Sequence, residues 1–355
     1  MEPIILHENI YSAQDVTRLK KKYLIWLEKD IYQSQINELF EISHPDLQKS
    51  ISYQKKLTAY KKEKNNPNHI IKGDWVYFPW SGNLLHTVSE KDYLRLRTNR
   101  NQYLIKKSEQ KKLYKAVVGI IGLSIGSNIA INLAKQGIGK YLKLADFDIV
   151  ETSNLNRINA SMADIGVKKI ENTAKRIWEI NPYNKIFLFP SGINDKNINN
   201  FFTSPKPNII FEIIDDFKIK IKMRLIARKK RIPVVMFSNV DNNIIIDIER
   251  FDLFPSLPLF NGLLGDLPER ILKDKDANAN YYAVKMVGEK LISERAMATV
   301  KDIGKKLVGR PQINSTVIIS SGLSGYITKK IICEKSTING RFIHKIDSIF
   351  IPSKR

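Results

Sequence analysis

The stretch DFDIVETSNLNRI gathers Asp146, Asp148, Asn154 and Arg157 into one short loop, and GVKKIENTAKR follows with Lys168 and Lys169 opening a helix. An asparagine, an arginine and a lysine converging on one crevice suit charge neutralisation in phosphoryl or nucleotidyl transfer, where catalysis rests on positioning and electrostatic stabilisation. Upstream, GLSIGS forms a small-residue turn between a strand and a helix. Such a turn aims exposed backbone amides and the positive end of a helix at an anion. Gly122 and Gly126 would let the backbone approach a phosphate, and Ser124 and Ser127 can donate hydroxyl hydrogen bonds to it. Asp146, about twenty residues further on, stands where a carboxylate can accept hydrogen bonds from both ribose hydroxyls. No Gly-Lys-Ser/Thr follows the turn, so it is not a Walker loop.

These residues need a scaffold that brings the turn and the acidic loop to the same edge. The β-branched runs AVVGII, YLKLA, KIFLF, NIIFEII and PVVMF alternate with the helical segments SNIAINLAKQ, KKIENTAKRIWEI and IKIKMRLIARKKR. Short apolar strands separated by helices predict an α/β fold, a doubly wound, Rossmann-like and mostly parallel sheet. Ligands bind such sheets at the carboxyl ends of the strands. After NVDNN, the run IIIDIERFD is expected to add an antiparallel edge; helices near 281–306 and 320–334 and a last strand in GRFIHKIDSIFI follow. Residues 113–355 are therefore read as the nucleotide-binding domain. Residues 1–112 are read as a smaller α+β region, with helical periodicity in DVTRLKKKYLIWLEKDIYQSQINELFEI, a loop at KKEKNNPNHIIKGD and a strand at WVYFPW.

Composition excludes several classes. The chain has 355 residues and a formal net charge of +22, but its lysines are scattered among asparagines and isoleucines, so no nucleic acid partner is expected. No segment approaches the ~20 apolar residues that span a bilayer, and MEPIILHENIYSAQD does not read as a signal peptide, so no membrane partner and a cytoplasmic location are expected. The single cysteine, Cys333, excludes an intrachain disulfide and a multi-cysteine zinc site, and is expected as a small buried thiol in a late helix. The five histidines show no metal-ligand spacing.

At DFDIVETSNLNR the sequence resembles the ThiF/MoeB/HesA family of adenylyltransferases, whose fold is shared with ubiquitin-activating enzymes. The resemblance extends from about Arg97 to the end. RTNRNQYLIKKSEQKKL is similar to the family's Arg-Tyr-x-Arg-Gln segment, with Arg97 and Arg100 at its arginines. Asn154 and Arg157 match Asn-Leu-x-Arg, Lys169 follows Gly166 like the phosphate-contacting lysine, and EIIDDFKIK is similar to the segment with the magnesium-binding aspartate, here Asp215. A bacterial branch of the family is more similar still, with a Gly-Leu-Ser-x-Gly turn, a Leu-Ala-Asp-Phe-Asp loop and an edge strand ending as Glu249 to Asp252 do. The resemblance implies ATP and Mg²⁺ as cofactors and a homodimer. It also implies a carboxylate-bearing substrate, the C-terminus of a peptide or ubiquitin-like carrier protein or a small acid, converted to an acyl adenylate with release of pyrophosphate. In that scheme Gly122, Ser124, Gly126, Ser127, Asp146 and Asp148 hold the nucleotide and Asp215 holds Mg²⁺. Arg157 and Lys169 stabilise the polyphosphate, Asn154 orients it, and Arg100 reaches the neighbouring subunit's site.

The chain departs from the pattern in three ways. It has no Cys-x-x-Cys pairs and no acyl-accepting cysteine, so a thioester step is not expected. Asp216 stands where asparagine often follows the metal aspartate, with Lys218 close by. The turn has lost a glycine. A nucleotide-binding module that serves a separate modifying or nitroreductase-like enzyme is the alternative function. A NAD(P)- or FAD-dependent oxidoreductase is a further one, disfavoured by the Asn/Arg/Lys trio.

Overall fold

The computed structural model describes residues 2–64, 72–273, 279–334 and 336–350. The core of the polar break KKEKNNPNHIIKGD lies outside them. The chain divides into two compact units, Met1–Gln110 with Lys175–Tyr183, and Lys111–Ala174 with Asn184–Arg355.

The first unit contains β1 (Ile4–Leu6), α1 (Ala13–Lys22), β2 (Leu27–Asp30), α2 (Tyr32–Ser43), α3 (Tyr53–Lys64), β3 (Asp74–Phe78), β4 (Asn83–Thr87) and α4 (Glu90–Arg97). Its sheet runs β1-β3-β4-β2, with β2 parallel to β4 and the other pairs antiparallel. Tyr32, Ile36 and Leu39 recur at helical spacing on α2 and bury one face with Val88. The continuous helical periodicity expected across DVTRLKKKYLIWLEKDIYQSQINELFEI is interrupted: α1 ends at Lys22, Tyr23 turns extended, and Leu27–Asp30 becomes a strand. All four β2 residues are exposed, so no apolar alternation marks the strand in sequence; backbone pairing with a distant partner makes it.

The helix α5 (Lys107–Lys115) leads to the second unit, where the rhythm is strand then helix: β5 (Val117–Ile121), α6 (Ile125–Lys135), β6 (Tyr141–Ala145), α7 (Lys169–Ile180, of which Lys175 onward counts with the first unit), β7 (Lys185–Phe189), α8 (Ile198–Phe201), β8 (Ile209–Glu212), α9 (Phe217–Lys230) and β9 (Val234–Val240). After these come β10 (Asn243–Glu249), α10 (Leu267–Lys273), α11 (Ala279–Val287), α12 (Glu294–Asp302), α13 (Asn314–Ile332) and β11 (Gly340–Lys345). The sheet order is β11-β10-β9-β8-β5-β6-β7, parallel from β9 to β7. This is the doubly wound, Rossmann-like α/β sheet with an antiparallel edge.

Every residue of β5 and β8 is buried, because helices cover both faces of the parallel strands. Ile121, Ala145, Phe201, Ile210, Val234 and Phe251 belong to one core cluster against the sheet. The expected edge strand β10 does pair antiparallel with β9, yet it is not outermost, since β11 pairs beyond it. Its six residues Ile244–Glu249 are all buried, which fits a strand flanked on both sides. Cys333 caps α13 and is only partly buried, a correction to the expected buried thiol, because the helix ends there and leaves one side of the cap open. No helix among the described residues is long and apolar enough to cross a membrane.

The chain runs from β5 outward to β6 and β7, then returns to β8 on the other side of β5. The loops after β5 and β8 consequently part to opposite faces and open a crevice at the carboxyl end of the sheet.

Candidate functional site

The β5 turn is built by glycine at two positions for two reasons. Gly122 has φ of +88°, and a Cβ there would overlap the carbonyl oxygen of Ile213 in the loop after β8. The two loops that open the crevice thus touch through Gly122. Gly122→Ala is expected to cost about 1–3 kcal/mol for the backbone conformation alone, with the overlap adding to it, measured as a lowered urea midpoint. An unchanged midpoint would mean that the turn relaxes without strain. Gly126 instead sets helix packing: a Cβ would lie 3.0 Å from Ile120 Cγ2 on β5, so this glycine brings α6 against the strand.

The two serines of the turn differ. Ser124, the residue before α6, accepts a hydrogen bond from Arg157 Nε at 3.3 Å and keeps its hydroxyl proton available to donate. Ser127 departs from the expected role. Its buried hydroxyl donates to Ser124 O at 2.9 Å, because a hydroxyl shut away from water inside a helix satisfies itself on the preceding turn.

Asp146 ties the β5 turn to the loop after β6. Its Oδ2 accepts from Leu123 N at 2.6 Å and its Oδ1 from Asp148 N at 2.8 Å. Burial pushes its carboxyl above the ordinary aspartate value, against the pull of those two N–H donors and of Lys169. Asp148 pairs with the buried Lys169, whose Nζ donates to its Oδ2 at 2.8 Å, so the acid and the lysine form one unit at the start of α7. Asn154 is buried as the end of a capping turn, its Oδ1 accepting from Glu151 N at 3.2 Å. That bond fixes the loop. Arg157 is held by Ser153 O at 3.3 Å and Asn156 Oδ1 at 2.9 Å, and its carbonyl accepts from Asn128 Nδ2 of α6 at 2.8 Å. Burial lowers the pKa of its guanidinium, which stays charged at neutral pH.

Asp215 lies on the opposite lip, after β8, with an exposed side chain that pairs with Arg310 Nη1 at 2.9 Å. Asp216 is the N-cap of α9, accepting from Ile219 N at 2.9 Å, which is the work its type does at that place. Ser124, Asp215 and Arg310 all line one cavity of about 240 Å³ at the crevice. Arg100 lies exposed in the turn Asn99–Asn101 of the first unit. The structure therefore brings Ser124 to Arg157, Asp146 to the β5 turn, Lys169 to Asp148, and Asp215 to the cavity wall.

Sequence reading missed Arg310, Asn239 and Gln312, all of which line that cavity. Nothing in their local pattern marks them. It also missed a charge cluster beneath the crevice, in which Arg224 joins Glu249 at 2.6 Å and Glu212 at 2.7 Å while Lys220 reaches Glu212 at 2.8 Å. Burial alone would raise the Glu212 carboxyl, but Lys220 and Arg224 outweigh it and hold it low.

The sheet order, the glycine turn and the acidic loop define a doubly wound α/β protein with a glycine turn at its switch point. The chain matches the ThiF family over residues 96–241. Among curated proteins it is similar to "Uncharacterized protein MT1398" of Mycobacterium tuberculosis, 31% identical over 72% of this chain and 36% of that protein. It is also similar to the "Probable molybdopterin-synthase adenylyltransferase" of Porphyra purpurea, 32% identical over 37% of this chain and 34% of that protein. The chain thus spans about a third of the length of either relative. The solved structure titled "TcdA (CsdL)" shares the fold, with a TM-score of 0.51 and 21% identity over 70% of this chain and 98% of that one.

Proposed function

We propose that the protein is an ATP-dependent adenylyltransferase of the bacterial Gly-Leu-Ser branch, converting a substrate carboxylate to an acyl adenylate. The observation that carries this reading is the grouping of Ser124, Arg157, Asp146 and the Asp148–Lys169 pair at the carboxyl ends of β5 and β6. One carboxylate oxygen of the substrate attacks the α-phosphorus, the bond from that phosphorus to the bridging oxygen breaks, and pyrophosphate leaves. The nucleophile arrives with the substrate, so the enzyme supplies positioning and charge. The α6 N-terminus and Ser124 receive the phosphates, Asp146 the ribose, and Arg157 and Lys169 the growing negative charge. In the homodimer that this reading requires, Arg100 serves the neighbouring subunit.

Mg²⁺ fits one residue. Among the described residues no three acidic, histidine or cysteine side chains gather into a metal cluster. Magnesium at phosphates is commonly held by only one or two carboxylates, and the exposed Asp215 can supply one once Arg310 moves off it. The bound ion would neutralise charge on the polyphosphate.

The Asp215–Arg310 pair also favours a second reading, a nucleotide-binding module without chemistry of its own. Pyrophosphate exchange separates the two: label returned from pyrophosphate to ATP in the presence of carboxyl-terminal peptides supports the enzyme, and ATP binding without any exchange leaves the module.

Asp146 gives a pH test. Only its ionised form accepts from both ribose hydroxyls, and burial raises its pKa. ATP affinity is therefore expected to weaken as pH falls through that raised value, at a higher pH than an ordinary aspartate would give. A fluorescent ATP analogue titrated between about pH 4 and pH 8 reads this directly. A profile that Asp146→Asn leaves unaltered would assign the titration to another group.

A further inference from the structure

Residues 310–312 join the two lips of the crevice. On one side Arg310 Nη1 donates to Asp215 Oδ1 at 2.9 Å, in the loop after β8. On the other the carbonyl of Gln312 accepts from Asn156 Nδ2 at 3.0 Å, in the loop after β6. Because β5 stands between β8 and β6 in the sheet, the segment passes over the turn that follows β5. Ser124 of that turn, Asp215 and Arg310 line one cavity. The backbone of the segment is held independently of the Arg310 side chain: Asn156 grips Gln312, Pro311 fixes its own φ, and α13 begins at Asn314. The guanidinium, by contrast, donates to an exposed carboxylate, with side chains 84% exposed for Asp215 and 38% for Arg310. Such an ion pair is weak and yields to a stronger partner.

The charges around the turn show what that release would accomplish. Lys169 is already matched by Asp148, whereas Arg157 is held by the uncharged Ser124, Ser153 and Asn156. A metal-bound triphosphate keeps a net negative charge that one unmatched guanidinium does not balance. Lys220 lies in the field of Asp215 but is buried against Glu212 at 2.8 Å, so it cannot supply the second cation. Arg310 can, and its planar fork of N–H donors matches phosphate oxygens.

We infer that Arg310 is a phosphate-binding residue that Asp215 holds in reserve: when Asp215 takes up the metal accompanying a nucleoside triphosphate, the guanidinium is released to the polyphosphate at the β5 turn. This role rests on the nucleotide site proposed above. Asp215 thereby couples metal to nucleotide, because without a metal the carboxylate keeps the guanidinium and the site lacks one of its phosphate cations.

The test measures the affinity of the full chain for a fluorescent, non-hydrolysable ATP analogue by anisotropy at fixed ionic strength. Arg310→Ala is compared with its parent in three settings: with Mg²⁺, with EDTA, and with EDTA in an Asp215→Asn background. Where Asp215 is occupied by metal or neutralised, the guanidinium is free, and its removal is expected to weaken binding by at least about tenfold. With EDTA and Asp215 intact the guanidinium is held, and its removal is expected to change binding by about twofold or less. Melting temperatures confirm that each variant is folded. A cost with EDTA and Asp215 intact as large as in the other two settings, or no cost in any, overturns the role, because an arginine that is merely structural or always turned to the phosphates does not respond to Asp215. That result keeps the nucleotide site. No binding of the analogue by the folded wild type, with or without Mg²⁺, overturns the nucleotide site and this role together. The dependence on Asp215 without any pyrophosphate exchange overturns adenylation alone and keeps the role of Arg310.

Discussion

Arg157→Ala is expected to lower pyrophosphate exchange by about 10²–10³-fold, the usual effect of removing one donor aimed at transition-state charge, while leaving the fold intact. The guanidinium touches Ser124 Oγ, Ser153 O and Asn156 Oδ1, all at the crevice, and none is a core contact. The loop backbone is held independently, by Asn128 Nδ2 on the Arg157 carbonyl, and that bond survives the substitution. Lysine restores charge but not the reach of Nε to Ser124 together with Nη1 to Ser153, so Arg157→Lys should recover only part of the loss. Steady-state exchange at saturating ATP is the measurement, with the melting temperature as the control for folding. Wild-type exchange in Arg157→Ala would take this residue out of the site.

The second large effect concerns stability. Arg224 and Glu212 are fully buried and Glu249 and Lys220 nearly so, two cations against two carboxylates. The Arg224 guanidinium also lies 4.2 Å from the centroid of Phe260, whose backbone N–H donates to Glu249 at 2.6 Å. Glu212→Leu strips both cations of a partner and leaves a net charge in the interior, which is expected to cost about 3–5 kcal/mol. Removing Lys220 as well, in the double variant Glu212→Leu with Lys220→Met, leaves the neutral Arg224–Glu249 pair. That double variant should therefore be more stable than Glu212→Leu alone, a coupling that a double-mutant cycle in urea reads directly. Strict additivity of the two substitutions would show that the charges are solvated independently. The cluster sits under the loops after β8 and β10, so it also fixes the lip that carries Asp215.

The parallel strands were legible because burial on both faces requires β-branched runs, and AVVGII, NIIFEII and PVVMF have no other reading once helices separate them. The turn and its acid were legible for a local reason as well: Gly122 and Asp146 are separated by one helix and one strand, a distance that the fold holds fixed. The roles within the turn were not. That Gly126 packs a helix, and that Ser127 bonds its own helix, depends on what stands across from each, Ile120 in one case and the Ser124 carbonyl in the other.

What the sequence determined by itself is the alternation of strands and helices from β5 to β9 and the doubly wound sheet, because both follow from periodicity and short-range spacing. Tertiary structure alone decided that β2 is a strand, that β10 is covered by β11, and that Arg310 rests on Asp215. It alone placed Asn239 and Gln312, far apart in the chain, on one cavity wall. The physical reason is common to all of these. Backbone pairing and ion pairing are set by partners at long sequence separation, and a local pattern carries no record of them.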